Sequence, residues 1–405
     1  MKATMTRQLS PPTRQLLSRL LPDADTETFV GIRRRIHANP ELGFEVGATG
    51  KLVADLLRSW GYDVHTGVGK TGIVAQLRLG SGTRTLGIRA DMDALPIVEA
   101  TGLSYASQTQ GRMHACGHDG HTAILLAAAK VLADRRDFDG TLNLIFQPDE
   151  ENLCGARAMN EDGLFERFPC DAVYALHNAP GVPAGTVVVA EGPVTLSSDV
   201  ADVTVRGVGG HGAMPHRARD PVAASAAIVT ALQTVVARNV APDDTAVLSV
   251  GFIRGGVTHN VIPQSVTLGL NMRAARPDTR ALVAQRIREI VSHTAQAHGV
   301  EAEIDYRPLV PPVVNTPAET QLMARVCAGL VGEANVIAQV PRGFAGSEDF
   351  AWMLAERPGC YLLLGNGEGE FGGCMVHNPG YDFNDQVLPL GAACWVRLAQ
   401  TYLVA

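Results

Sequence analysis

The chain has 405 residues and a formal net charge of −7, from 34 lysines and arginines against 41 aspartates and glutamates. That length exceeds one ordinary core and predicts about two domains. The acidic balance leaves no basic stripe, which excludes a general binder of nucleic acid or of anionic membrane surfaces.

The opening stretch, Met1 to Leu17, lacks the apolar core of a secretory leader. Phe29, Ile32 and Ile36, then Leu52, Val53, Leu56 and Leu57, recur at helical spacing on either side of a break at His37-Ala38-Asn39-Pro40-Glu41. Strand text follows at Ile73 to Leu77 and at Thr85 to Ala90, the latter ending on Asp91. A helix from about Gly120, a strand over 141–146, a helix over roughly 154–165 and a strand over 172–176 continue the alternation. Such alternation predicts an α/β layer fold with a mixed sheet, whose ligand-bearing residues lie beyond the strand ends.

Around residue 198 the texture changes. Asp199 to Arg206 alternates as a strand, and the uncharged run Val222 to Ala237 reads as a buried or interfacial helix, too short to span a membrane. Strands over 246–252 and 265–272, a helix over 279–298 and a strand over 302–306 complete a β-α-β-β-α-β order. That order predicts a ferredoxin-like α+β insert. The expected organisation is therefore a discontinuous catalytic domain, 1–197 with 309–405, and an inserted lid and dimerisation domain, 198–308. Pro308 to Pro312 would form the return linker, and Tyr361 to Leu364 a strand before a glycine-rich loop. The seven cysteines show no disulfide-framework spacing. They point to a reducing cytoplasm, with all but Cys116 serving as small core residues.

The chemistry concentrates in Met113-His-Ala-Cys-Gly-His-Asp-Gly-His-Thr-Ala123, where His114 to His121 hold three histidines, a cysteine and an aspartate. Three other stretches place similar groups near strand ends or in loops: Glu150-Glu151, His177 and His377. Thiolate, imidazole and carboxylate together suit Zn, with Mn and Co as alternatives. Beside a cation, one glutamate of an adjacent pair can bind metal while the other accepts a proton from water. Taken singly, each has a plainer use: a hydrogen-bonded core histidine, a solvated turn, an inert buried thiol.

Together with Arg89-Ala-Asp-Met-Asp-Ala-Leu-Pro96, Phe146-Gln-Pro-Asp-Glu-Glu151, Gly209-Gly-His-Gly-Ala-Met-Pro-His216, Asn260-Val-Ile-Pro263, Gly346-Ser-Glu-Asp-Phe350 and His377-Asn-Pro379, the chain resembles the metal-dependent amidohydrolases that include hippurate hydrolases and auxin-conjugate hydrolases. These belong to the wider aminoacylase and zinc-carboxypeptidase superfamily, and the resemblance runs in order over roughly residues 28–400.

The resemblance implies a centre of two divalent ions held by Cys116, His118, Glu151, His177 and His377, with Cys116 bridging. It implies Glu150 as general base, His211 and Asn260 polarising the scissile carbonyl and holding substrate, and Arg273 receiving the substrate carboxylate. Asp91, Asp93, Asp119 and His121 would orient the ligands, Asp119 doubling as a helix N-cap; His114 and His216 are read as structural.

The expected substrate is a small N-acyl amino acid of hippurate type, with N-acetyl-diaminopimelate or an indole-acetyl amino acid as alternatives. The expected assembly is a homodimer or a dimer of dimers, with no nucleic-acid or membrane partner. A non-catalytic binder of amino-acid conjugates is the competing class, and such a protein would be expected to lose the base or a ligand. Two departures stand out: Asp149 where the family carries a small residue, and a glycine-rich loop over 365–373 that is shorter than usual.

Overall fold

The computed structural model describes residues 11–341, 346–369 and 372–404. The first ten residues of the stretch read for a leader lie outside the described residues, as do Glu370 and Phe371 of the glycine-rich loop. The chain divides into two compact units, Met1–Gly192 with Val314–Phe344 and Asp349–Ala405, and Pro193–Val313 with Ala345–Glu348.

After a first helix, Pro11–Leu20, the first unit continues with α1 (Asp23–Ala38), α2 (Gly47–Ser59), β1 (Asp63–Val68), β2 (Gly72–Leu79) and β3 (Thr85–Asp91). Next come α3 (His118–Arg135), β4 (Gly140–Gln147), α4 (Gly155–Glu161), α5 (Leu164–Arg167) and β5 (Ala172–Pro180). The second unit holds β6 (Ser198–Arg206), α6 (Pro221–Asn239), β7 (Ala246–Arg254), β8 (Ser265–Ala274), α7 (Pro277–Ala297) and β9 (Glu301–Val310). The chain then returns to the first unit through α8 (Pro317–Val331), β10 (Gly359–Gly367) and α9 (Leu388–Tyr402).

In the first unit a mixed sheet runs β1-β2-β4-β3-β5-β10, completed by the short strands Val187–Val188 and Val336–Ile337. β3 pairs in parallel with both β4 and β5, and β5 in parallel with β10. All eight residues of β4 are buried, the polar Thr141, Asn143 and Gln147 among them, as in a strand covered on both faces. α3 is buried from His118 to Ala129 without interruption, which is why it shows no polar face. Because β3 and β4 are parallel, with Asp91 paired to Gln147, the loops that follow both strands emerge at one edge of the sheet.

The second unit is a four-stranded antiparallel sheet ordered β7-β8-β6-β9, the ferredoxin-like arrangement. Val203, Val205, Leu268, Ile228, Leu232, Ile287 and Val291 join sheet and helices in one core. α6 runs 19 residues, longer than the sequence pattern indicated, and by length and composition alone is long and apolar enough to cross a membrane. Its Ala224, Ile228, Leu232 and Val235 are instead packed into this core.

Three local expectations are corrected. The helix expected over 154–165 is two helices, because Gly163 adopts a left-handed φ of 77° between them. β9 continues through Pro308 to Val310 in place of the expected linker; as a sheet edge it can carry a proline whose missing N–H is not needed by a neighbour. Of the six cysteines expected in the core, Cys154 is exposed and Cys374 only half-buried.

Behind the sheet edge, Arg33 of α1 has no exposed surface and donates to Asp119 at 3.2 Å, Asp382 at 2.9 Å and Asp385 at 2.8 Å. His37 Nδ1 lies 2.9 Å from the same Asp119. Burial opposes a charge on His37, but Asp119 and then Glu99 outweigh it and raise its pKa from 6.5 to about 9. A raised pKa means that the pair's stabilisation is complete below pH 6.5 and is lost as pH rises through about 9. The loss should approach about 3 kcal/mol, at 1.4 kcal/mol per pKa unit. Denaturant unfolding from pH 6.5 to 9.5 should show that decline in the parent and a flatter profile in His37→Gln. Parallel profiles would rule out the pair as its source.

Candidate metal centre

The loop that carries Cys116 is shaped by its neighbours before any ion is considered. Gly117 has φ 96°, and a Cβ there would lie 2.3 Å from Asn178 Nδ2 and 2.5 Å from the Tyr381 hydroxyl. Only glycine fits, and α3 starts at the next residue. Asn178 Nδ2 donates to the Cys116 carbonyl at 2.6 Å, while Tyr381 donates to Asn178 Oδ1 at 2.7 Å. The His377 N–H, on a residue at φ 62°, donates to the Ala115 carbonyl at 2.7 Å and ties the fourth stretch to the first.

Side chains from all four stretches converge. Cys116, His118 and His177 form one group whose ligand atoms lie within 4.8 Å of one another. Cys116, Glu151 and His377 form a second, and His118, Glu150 and Glu151 a third, on the same criterion. Cys116 thus belongs to two sets, with its Sγ 3.2 Å from His177 Nε2. His377 Nε2 is 3.3 Å from a Glu151 oxygen and is half-exposed, the open member of the cluster.

The hydrogen bonds decide which atoms remain free to bind an ion. His118 Nδ1 faces the Asp93 carbonyl at 2.9 Å, and His177 Nδ1 faces the Asn178 carbonyl at 2.7 Å. A carbonyl can only accept, so both rings carry their proton on Nδ1 and present a bare Nε2 to the cluster. His118 Nε2 and Glu151 Oε1 are buried without a hydrogen-bond partner among the described residues. Orphaned acceptors in a buried set of thiol, imidazole and carboxylate fit a divalent cation of the Zn, Mn or Co kind.

The supporting residues act differently from one another. Asp93 takes the N–H groups of Glu150 and Glu151 on its two oxygens, both at 3.1 Å, and so fixes the glutamate pair. Asp91 is fully committed, to His121 Nδ1 at 2.7 Å and to Arg89 at 2.8 Å. His121 accepts the Asn178 N–H at 3.0 Å on its other nitrogen, which leaves it no free lone pair for an ion. Asp119 is not the helix cap expected for it: Gly117 occupies that position, and Asp119 anchors the first turn to Arg33 and His37. His114 is buried, both its nitrogens lack partners among the described residues, and burial pushes its pKa down to about 3. Asp149, immediately before the pair, sits at φ 54° and accepts from Asn152 Nδ2 at 2.5 Å.

Without a cation this cluster holds protons. Burial disfavours the charged form of His118, but Asp91, Asp93 and Glu151 outweigh it and raise the imidazole to about 10. Burial, then Glu151, Glu150 and Asp91, push the Cys116 thiol well above its usual range. Burial holds His177 neutral, with His121 adding to the effect.

In the second unit, His211 and Asn260 come together. The short strands Gly210–His211 and Val261–Ile262 pair, and the Gly212 N–H donates to the Asn260 carbonyl at 2.8 Å. Both residues line a cavity of about 420 Å³. Arg273, on β8, does not line it; its guanidinium bonds the Ser347 hydroxyl and Asn271. His216 lies exposed in a short 3₁₀ turn, Pro215–Arg217.

The signature of peptidase family M20/M25/M40 matches residues 87–401. The chain belongs to that family. Hippurate hydrolase of Campylobacter jejuni is 42% identical over 93% of this chain and 96% of the relative. IAA-amino acid hydrolase ILR1-like 2 of Arabidopsis thaliana is 37% identical over 98% and 90%. The crystal structure of the Bacillus subtilis YXEP protein, titled a dinuclear metal binding peptidase from the M20 family, superposes with a TM-score of 0.82 at 30% identity. It is matched over 94% of this chain and 99% of its own. As a member of the M20 family this chain is a metallo-amidohydrolase.

Several residues around the cluster were given no role by the sequence, although Arg89, Gln147 and Asp349 lie within the motifs that carry the resemblance. Asn178 holds Cys116, His121 and Tyr381 at once. Below it, Arg89 and Gln147 bind the buried Asp349, which also takes the Ala156 N–H at 2.8 Å. Asp93→Ala should release the backbone of the glutamate pair and weaken divalent-metal affinity roughly 10- to 100-fold. Competition of the purified protein against a chromogenic chelator measures this, and an unchanged affinity would remove Asp93 from the support of the centre.

Proposed function

We propose that this enzyme hydrolyses the amide bond of N-acyl amino acids of hippurate type, releasing a carboxylic acid and a free amino acid. Two divalent ions would be held by Cys116, His118, Glu151, His177 and His377, with Cys116 shared. The observation that carries this reading is the membership of Cys116 in two separate ligand groups, with Glu150 and Glu151 side by side in a third. Bound cations would supply Lewis acidity, polarising the amide carbonyl and making water more acidic.

The chain's own residues do the proton work. Glu150, buried and held by its N–H on Asp93, takes a proton from the attacking water and later returns it to the leaving amine. His211 donates to the carbonyl oxygen as that atom gains charge, and Asn260 holds the substrate. Arg273 is assigned the substrate carboxylate, which a guanidinium fork matches.

The second unit is read as the dimerisation body. Its edge strand β7 leaves Val247 and Ile253 exposed, and an open strand edge invites pairing with a second copy. We place the enzyme in the cytoplasm, consistent with seven free cysteines.

Metal-stripped protein reconstituted with Mn, Zn or Co should hydrolyse hippurate, N-acetyl-cysteine or indole-acetyl-aspartate. Full activity with chelator present would end the metal reading, and inactivity across the panel would end the substrate reading. Glu150→Gln should keep its metal content and lose at least about 100-fold in turnover. A fully metallated Glu150→Gln working at the parent rate would overturn the role given to this residue. His211→Ala should lose a similar factor, about 100-fold, also with metal content unchanged.

A further inference from the structure

Away from the metal cluster, the first unit carries a cavity of about 530 Å³ whose lining includes Arg84, Asp171, Tyr174, Glu319, Arg325 and Tyr402. Arg84 immediately precedes β3 and Asp171 immediately precedes β5, so the cavity lies at the starts of strands whose far ends lead to the metal cluster. The seven residues of β3 span roughly 20 Å at about 3.3 Å per residue. A small molecule seated here touches no member of the cluster.

The lining is chemically incomplete. Tyr174 has no exposed surface, and its hydroxyl has no hydrogen-bond partner among the described residues. Its ring meets Tyr402 edge-on at 6.4 Å, and burial, with Cys360, Glu319 and Tyr402 as its charged or polar neighbours, raises its pKa. A buried hydroxyl left unpaired is costly, which marks this wall of the cavity as polar and unsatisfied.

Arg325 is exposed and has no hydrogen-bond or ion-pair partner among the described residues. Arg84 spends one donor on the Tyr402 carbonyl at 3.2 Å and keeps the others. Asp171 uses one oxygen on the Thr85 N–H at 2.8 Å, and Glu319 one on the Thr316 hydroxyl. The second oxygen of each carboxylate has no partner among the described residues. Ala318, Leu322 and Arg325 follow at helical spacing on one face of α8, so that an apolar patch adjoins the charges.

Two guanidiniums and two carboxylates around one cavity leave a simple anion or a simple cation half-repelled. A zwitterion satisfies both signs. We propose that this cavity is a second, non-catalytic binding site for a free α-amino acid with an aliphatic side chain. The carboxylate pairs with the guanidiniums, the ammonium with Glu319 and Asp171, and the side chain lies on Leu322 and the Tyr402 ring. The site stands whether or not the hydrolysis proposed above is the chain's activity.

Titration calorimetry of the full chain with L-leucine tests it, with 4-methylpentanoate lacking the ammonium and 3-methylbutylamine lacking the carboxylate. Leucine should bind, and each truncated probe should bind at least about 10-fold more weakly. Arg325→Ala, an exposed substitution that leaves the core intact, should weaken leucine by a similar factor. Turnover measured without added leucine should be unchanged in Arg325→Ala. The site is refuted by an absence of leucine binding, which would mean a groove filled by water. Equal binding of leucine and its truncated forms would also refute it, as would leucine binding undiminished in Arg84→Ala/Arg325→Ala.

Discussion

The first unit is organised around a concentration of buried negative charge. Asp91 at the end of β3, and Asp93 and Glu150 in the loops that follow β3 and β4, are buried, with Glu151 nearly so, and ionised carboxylates do not survive there unless offset. The protein answers in two ways. Where the charge is structural, arginines enter the interior to meet it: Arg89 for Asp91 and Asp349, Arg33 for Asp119 and its two partners. Glu150 and Glu151 instead face the cluster, with His118 Nε2 within 4 Å of both and a half-exposed His377 beside Glu151. That contrast separates scaffold from working centre, because a carboxylate held by a guanidinium can only position, while one that faces bare ligand atoms can take a cation or a proton.

The same contrast explains the division of labour between near neighbours. Asp91 and Asp93 stand two residues apart, yet one is locked between an arginine and a histidine while the other grips two backbone N–H groups. His118 and His121 begin the same helix, and only the first keeps a bare nitrogen. Function here follows from which lone pairs remain after the hydrogen bonds have been counted.

Much of this was legible in the sequence, for identifiable reasons. His114 to His121 concentrate ligand types too densely for a core, and strand endings at Asp91 and Gln147 are marked by abrupt loss of apolar text. The βαββαβ order of the second unit likewise follows from its spacing. What could not be read depends on residues far apart in the chain: Arg33 meets Asp382 and Asp385 across some 350 positions. Asn178 follows an apolar strand like any turn residue, and only the folded loop shows it holding three partners. Pro308 read as a break because sequence alone does not say that its strand is an edge. His177 read as a strand terminus, whereas β5 runs on to Pro180 because β10 pairs alongside it.

That pairing has a consequence for how the protein is made. β10 borders β5 inside the first unit's sheet, yet about 180 residues of chain separate the two, the whole of the contiguous stretch Pro193–Val313 among them. During synthesis the second unit's strands and helices leave the ribosome as one block and have nearly all their partners at once. The first unit must wait with one side of β5 unpaired until residues 359–367 emerge, and α9 follows later still. A nascent chain of this kind folds from its middle outward, and its exposed β5 edge is the surface that a chaperone would have to shield.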